Sequence, residues 1–432
     1  MPTSTPIRAL AHNLTRRRFL AWGSAGAAAA TAGGLTTRLA FATPENPAAG
    51  DVLVVVFLRG GADGMSLIPP YGDADYFTLR PGIAVPRPGQ AGGALNLNGF
   101  FGMHPAMRTL YEGPWARGDL AIVNATGWPR EITTTRSHFE AQDYWERSST
   151  STLVNTGWVA RHLASLGAEV GGAAPAVGKG STLQASLRGY VGAISASRLN
   201  QFTIQGFSGS ELPRVRQALG ELYGAATPPV GPAGASLLAA LGSVAQAATI
   251  PTQNGVTYPN TDLGTNLREI AQLTRANVGL RAAAIDVGGW DMHDDMGTST
   301  DGAMAARAGM LSDALAAFAA DLGTQGDEVT TVVMTEFGRT SKENGSGGTD
   351  HGRGNVMFVM GGLVRGGLYG QWPMIVEDRD PDRDLSVTTD FRTALGEVLT
   401  NRLGNPAVGT VFPGFTPPAS PLGLAPVAVA AG

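Results

Sequence analysis

Asp291 and His293 stand two positions apart in the segment Gly288-Gly289-Trp290-Asp291-Met292-His293. In an extended backbone that spacing turns a carboxylate and an imidazole to the same side. The donor pair suits a divalent cation such as Zn²⁺ or Mn²⁺. Three other segments offer the same residue types beside apparent strands: Asp63 in Gly60-Gly61-Ala62-Asp63-Gly64, Glu336 in Thr335-Glu336-Phe337-Gly338, and Asp350 with His351 in Thr349-Asp350-His351-Gly352. A fifth segment, Thr133-Thr134-Thr135-Arg136-Ser137-His138, supplies hydroxyls that could serve as a nucleophile. The chemistry these groups would perform is metal-assisted hydrolysis, in which a bound ion polarises an ester and a side-chain hydroxyl attacks it.

Each residue has a structural alternative. Asp63 follows a Gly-Gly turn, where an aspartate also caps a helix N-terminus. Asp291 and His293, followed by Asp294 and Asp295, also read as a solvated acidic loop. Glu336 closes a buried strand, where a carboxylate is costly unless it is paired or metal-bound; Arg339 and Lys342 are near in sequence and offer such a pair. His351 precedes a strand, so it reaches the same sheet edge only if that strand runs antiparallel or enters over the top. His138 either joins the group or is a first-turn helix residue, and His162 reads as a helix surface or core residue. The chain has six histidines, one of which, His12, lies near the N-terminus.

The elements that would position these groups alternate between strands and helices. Asp51–Leu58 is a continuous β-branched run of the kind that forms a buried central strand. Further strands are expected at Leu120–Asn124, Leu280–Val287, Val329–Met334 and Asn355–Met360. Helices are expected at His104–Glu112, Ser137–Arg147, Thr156–Leu166, 232–249, Leu263–Val278, Ala303–Leu322 and Asp390–Arg402. Ser137 with Glu140 has the spacing of a capping box. Residues 69–100 and 171–262 read as irregular insertions, and 406–432 as a Pro/Ala/Gly-rich tail. Alternation of this kind implies an α/β fold with a mostly parallel sheet covered on both faces.

Composition narrows the class. The chain has 432 residues, 43% hydrophobic and 15% charged, which is ample to bury a core. Thr15-Arg16-Arg17-Arg18-Phe19-Leu20, an Ala/Gly-rich stretch, and Ala40-Phe41-Ala42 resemble a twin-arginine (Tat) export signal cleaved after Ala42, followed by a linker at 43–50. The expected partner of that segment is the Tat translocase, and the expected location is periplasmic or extracellular. Losing the five arginines of residues 1–42 leaves 26 Lys+Arg against 35 Asp+Glu, a net charge of −9. An acidic body argues against nucleic acid as a partner. No apolar run after residue 42 is long enough to suggest a membrane span. The chain has no cysteine, so an exported form must take its stability from its core.

The segments together resemble the domain-of-unknown-function 1501 family, a sulfatase-like branch of the alkaline phosphatase superfamily. The most specific markers are Ser137-His138-Phe139-Glu140-Ala141-Gln142-Asp143-Tyr144-Trp145-Glu146, Gly289-Trp290-Asp291-Met292-His293, Glu336-Phe337-Gly338-Arg339-Thr340 and Gly348-Thr349-Asp350-His351, with Thr388-Thr389-Asp390-Phe391-Arg392 a further one. The resemblance implies an alkaline-phosphatase-like three-layer sandwich and one or two divalent ions (Zn, Mn or Ca). It implies metal ligands at Asp63, Asp291, His293, Glu336 and His351, with Asp350 or Asp390 as a substitute. It implies a nucleophile within 133–137, Ser137 first and Thr135 second, with Arg136 or Arg339 stabilising charge, and a small-molecule or polymer phosphate or sulfate ester as substrate. Phe337 departs from the superfamily pattern, standing where a second histidine would be, and no Cys/Ser-x-Pro-x-Arg motif occurs in 133–137. The alternative is a non-catalytic periplasmic binding or assembly protein with a degenerate metal site.

Overall fold

Seven consecutive buried apolar residues form β1 (Val52–Leu58), and the parallel strands β7 (Ala282–Val287) and β8 (Val329–Thr335) pair on either side of it. A computed structural model describes residues 51–167, 172–227, 230–375 and 384–426. The expected export signal, the linker at 43–50 and the last residues of the tail lie outside them. β1 belongs to a nine-stranded sheet with the order β10-β4-β9-β8-β1-β7-β5-β6. Here β4 is Leu120–Gly127, β5 Ala176–Lys179, β6 Ala193–Ser195, β9 Asn355–Met360 and β10 Gly367–Tyr369, while β11 (Thr389–Asp390) pairs with the end of β4. β9 runs antiparallel to both its neighbours, β8 and β4, and all other pairings in this sheet are parallel. The fold is therefore α/β with a mixed, mostly parallel sheet.

Strand alternation explains why helices cover both faces. Val52, Val54, Val56 and Leu58 point into one apolar cluster, with Leu267 and Ile270 of the helix Asp262–Arg275 and Leu311, Leu315 and Phe318 of the helix Ala303–Leu322. Leu53, Val55 and Phe57 point into the other. There they meet Trp145 of His138–Arg147, Trp158 and Leu163 of Trp158–Leu166, and Phe391 and Leu395 of Phe391–Glu397. A strand buried on both sides needs apolar residues at successive positions, which is why β1 reads as an unbroken run.

Several expected elements change form. The helix expected at His104–Glu112 breaks into a 3₁₀ turn (Pro105–Met107), an α turn (Arg108–Leu110) and a π turn (Tyr111–Trp115). Pro114 inside the last turn lacks the N–H a regular helix would require. Ser137 is the N-cap of His138–Arg147 but makes no side-chain cap bond, and the Glu140 carboxylate, rather than reaching back to the Ser137 amide, accepts the Thr135 hydroxyl at 2.6 Å. The irregular stretch 69–100 holds a short helix, Ala74–Leu79, and the strand β2 (Leu95–Asn96), which pairs with β3 (Gly102–Met103) in a separate two-stranded sheet. Of the span 171–262, β5 and β6 join the main sheet, while Ile204–Leu238 forms a compact unit of its own containing the helix Leu212–Gly224.

The compositional tail is part of the fold. Phe412, Leu424 and Ala425 are buried in the second apolar cluster, and Glu397 accepts backbone N–H groups from Gly423 and Leu424. Phe412 packs against Trp158 with ring centroids 5.8 Å apart. Phe412→Ala is expected to lower unfolding free energy by about 3–5 kcal/mol in a denaturant titration, the cost of an emptied aromatic core site; a change within error would show the tail to be an appendage.

Candidate functional site

Register brings the site together. Leu58 lies level with Val287 on one side and Thr335 on the other, so the residues that leave β1, β7 and β8 emerge at one edge of the sheet. That carboxyl edge is where open α/β sheets bind ligands. Because β9 is antiparallel, the loop that precedes it, carrying Asp350 and His351, arrives at the same edge. Arg339 and His351 pair as an isolated antiparallel bridge, which fixes the loop. The turn after β1 is held close to the Asp291 segment: a Cβ at Gly60, whose φ is +117°, would stand 2.5 Å from the Asp291 amide nitrogen.

Three imidazoles and one carboxylate converge there. His138 Nδ1 lies 2.8 Å from Glu336 Oε1, His293 Nδ1 lies 3.0 Å from Asp350 Oδ1, and His351 Nδ1 lies 2.8 Å from the Arg136 carbonyl oxygen. Each Nδ1 faces an acceptor, so each carries the proton and donates it. A neutral ring so placed presents the lone pair of Nε2. His138 Nε2 stands 3.4 Å from Asp291 Oδ2, while His293 Nε2 and His351 Nε2 stand 3.1 and 3.4 Å from Asp291 Oδ1. The Nε2 atoms of His293 and His351 are 2.9 Å from each other. His138 Nε2 is buried without a hydrogen-bond partner, the 3.4 Å approach to Asp291 being an ionic contact only. Ligand atoms of His138, Asp291 and His351 all lie within 4.8 Å of one another.

This donor set fits a divalent cation. Histidine ligands usually donate their second ring N–H to a carboxylate or a backbone carbonyl, which fixes the tautomer. Here Glu336 and the Arg136 carbonyl do so for His138 and His351, leaving two lone pairs and a carboxylate facing one another. His138, Asp291 and His351 are the residues that could hold the ion, with His293 beside them.

Charge tuning agrees with that division of roles. Glu336 is almost wholly buried, and burial alone would raise its pKa. Hydrogen bonds from His138, Gln142 Nε2 (2.8 Å) and the Gly60 amide (2.8 Å) outweigh burial and hold it at about 2. Asp291 is likewise held at about 2, where Arg339 and the neighbouring histidines overcome burial. The hydrogen bond to Glu336 raises the pKa of His138, whereas burial lowers that of His351.

Other expected residues take different places. Asp63 is not in the convergent group. It caps the short helix Gly64–Leu67, accepts from Thr349 Oγ1 at 3.1 Å, and forms a buried ion pair with Arg80 at 2.8 Å. Glu336 binds neither Arg339 nor Lys342 among the described contacts; it orients His138. Asp350 orients His293 and accepts from Asn344 at 3.2 Å. Arg339, expected to face developing charge, is a buried strut. Its guanidinium donates to the carbonyls of Gly61 and Thr349 and to Asp291 Oδ1 at 2.6 Å. Arg136 pairs with Asp384 at 2.6 Å, and Asp390 caps Phe391–Glu397 and binds Arg392. The Ser137 and Thr135 backbone flanks the Arg136 carbonyl that holds His351. Phe337 is buried, with its ring centroid 4.8 Å from those of both His138 and His351. His162 is a core residue, held by Asn405 Nδ2 at 2.8 Å.

In the sequence alone His138 has two equal readings, and nothing there marks Gln142. Their spacing of four on one helix puts both on the face turned to Glu336. A family described as a protein of unknown function (DUF1501) matches residues 151–399, more than half of the chain, and the protein belongs to that family. The matched span includes Asp291, His293, Glu336, Asp350 and His351 and begins after His138. No curated protein matches the chain. No described helix is long and apolar enough to cross a membrane.

Glu336 gives a pH-dependent prediction. Its folded pKa lies below its ordinary 4.5, so its contribution to stability is complete above that value and is lost as pH falls towards about 2. Over that window the wild-type protein is expected to lose ~3 kcal/mol more than Glu336→Gln in chemical unfolding. Parallel acid limbs for the two proteins would contradict the assignment.

Proposed function

We propose that this protein is an exported, metal-dependent hydrolase of phosphate or sulfate esters on an alkaline-phosphatase-like three-layer sandwich. The observation that carries this reading is the convergence of the Nε2 atoms of His138 and His351 on the Asp291 carboxylate, with each Nδ1 tied to an acceptor. His138, Asp291 and His351 would hold one divalent ion, of which zinc and manganese suit the nitrogen-rich set best. When bound, the ion supplies Lewis-acid polarisation of the ester's phosphoryl or sulfuryl oxygen. Export through the Tat pathway to the periplasm or beyond follows from the paired arginines of residues 16–18 and the Ala40-Phe41-Ala42 cleavage pattern.

The chain's own residues would do the rest. Glu336 and the Arg136 carbonyl keep His138 and His351 in the tautomer that offers Nε2. Arg339 holds the Asp291 carboxylate ionised and aimed. The nucleophile is the hydroxyl of Ser137 or Thr135, which flank the carbonyl fixed to His351. Its oxygen bonds to phosphorus or sulfur as the bond to the ester oxygen breaks, the departing oxygen takes up the proton the hydroxyl gives up, and water then cleaves the enzyme ester to free the hydroxyl again. Thr135 already donates its proton to Glu140 at 2.6 Å, which makes Glu140 the acceptor if Thr135 attacks. The apolar wall of Phe337 excludes water from one side of the imidazoles.

A non-catalytic binding or assembly role is the second reading. It is favoured by the pairing of Asp63 with Arg80 and by Phe337, which leave no second ligand set of the kind the superfamily uses among the described residues. The two readings separate in an assay of the purified mature protein on aryl phosphate and aryl sulfate esters. The hydrolase reading expects turnover that a chelator abolishes and zinc or manganese restores, with a loss of at least about 100-fold in His351→Ala. It also expects a comparable loss in either Ser137→Ala or Thr135→Val. Absence of turnover on both ester classes with metal supplied would favour the binding role.

A further inference from the structure

Arginines at this sheet edge are otherwise engaged: Arg59 with Glu146 and Asp286, Arg80 with Asp63, Arg136 with Asp384, and Arg339 with Asp291. Arg307, in the second turn of the helix Ala303–Leu322, differs. It is half-buried, and no hydrogen bond or ion pair joins it to any described residue. Its guanidinium lies against Gly289. A Cβ at that position would stand 2.3 Å from one terminal nitrogen, 2.6 Å from Cζ and 2.9 Å from Nε. Gly289 also has a φ of +87°, so any other residue there would be strained as well as obstructive. The glycine is thus a seat for the arginine, exposed to solvent and two residues before Asp291. Two residues of extended chain span at most about 7 Å.

We propose that Arg307, seated on Gly289, is an anion-binding subsite beside the metal centre. The substrate would then be an ester carrying a second negatively charged phosphate- or sulfate-type group beyond the one cleaved. The substrate class rests on the hydrolase reading; the subsite itself does not. A planar guanidinium offers a fork of donors that matches tetrahedral oxyanions two oxygens at a time. Residues 43–432 hold 26 Lys+Arg against 35 Asp+Glu, an excess of acid that repels a polyanion, so a local unpaired cation favours its capture at the site.

The test is calorimetric binding of inorganic pyrophosphate and inorganic phosphate to the zinc-loaded mature protein and to Arg307→Gln, Arg307→Lys and Gly289→Ala. Pyrophosphate is expected to bind the wild type more tightly than phosphate does. Arg307→Gln should weaken pyrophosphate about tenfold with phosphate affinity and zinc content unchanged, Arg307→Lys should fall between, and Gly289→Ala should resemble Arg307→Gln. The proposal is overturned if the wild type shows no preference for pyrophosphate, if Arg307→Gln retains it, or if both anions weaken equally. A protein that takes up no zinc but loses pyrophosphate affinity in Arg307→Gln would sustain the subsite while the metal reading fails.

Discussion

One buried carboxylate holds the carboxyl edge of the central sheet together. Glu336, at the end of β8, accepts hydrogen bonds from the Gly60 amide after β1 and from His138 and Gln142 on the helix that follows β4. Thr335, its neighbour, donates to Glu336 and to the Leu58 carbonyl, tying the same two strand ends. Burying a lone carboxylate would cost several kcal/mol, and these donors offset that cost while fixing three chain segments against each other. The position of His138, and through it the convergence with Asp291 and His351, depends on this group.

A second constraint acts from the other side. Arg339 reaches across the β1 turn to the carbonyls of Gly61 and Thr349 and ends on Asp291. It joins the strand ends to the Asp291 loop and to the loop before β9, the segments that supply the remaining donors. Asp63 is paired with Arg80, and the Phe337 ring lies tilted beside the imidazoles of His138 and His351. The residues that a two-ion layout would require are thereby used for structure. What remains facing the edge of the sheet is a compact set, His138, Asp291 and His351, whose donor atoms lie within 4.8 Å of one another.

Much of the fold was legible in the sequence because its strands are buried on both faces. β1 and β9 read as uninterrupted apolar runs, and their ends were placed to within a residue or two. The antiparallel course of β9 was visible only as a condition on His351, since pairing direction leaves no mark in the side-chain pattern of a fully buried strand. The membership of Asp291, His293 and His351 in one site was legible from residue type and strand-edge position. The division of labour was not. Asp63, Glu336 and Asp350 carry the same carboxylate as Asp291, and only the three-dimensional neighbours, Arg80, His138 and His293, show which of them are tied up in supporting contacts. Likewise His138 gave no local sign of its role, because its partner Glu336 is 198 residues away. The compositional tail misled for a different reason: Phe412, Leu424 and Ala425 are isolated apolar residues among Pro and Gly, with no period to announce burial.

The central claim is that His138, Asp291 and His351 form a single-ion centre. Anomalous diffraction from crystals of the mature protein grown with zinc tests it most directly. The account predicts one peak, about 2.0–2.1 Å from Nε2 of both His138 and His351 and bonded to an Asp291 oxygen. An empty cluster, or a peak at Asp63 instead, would contradict it.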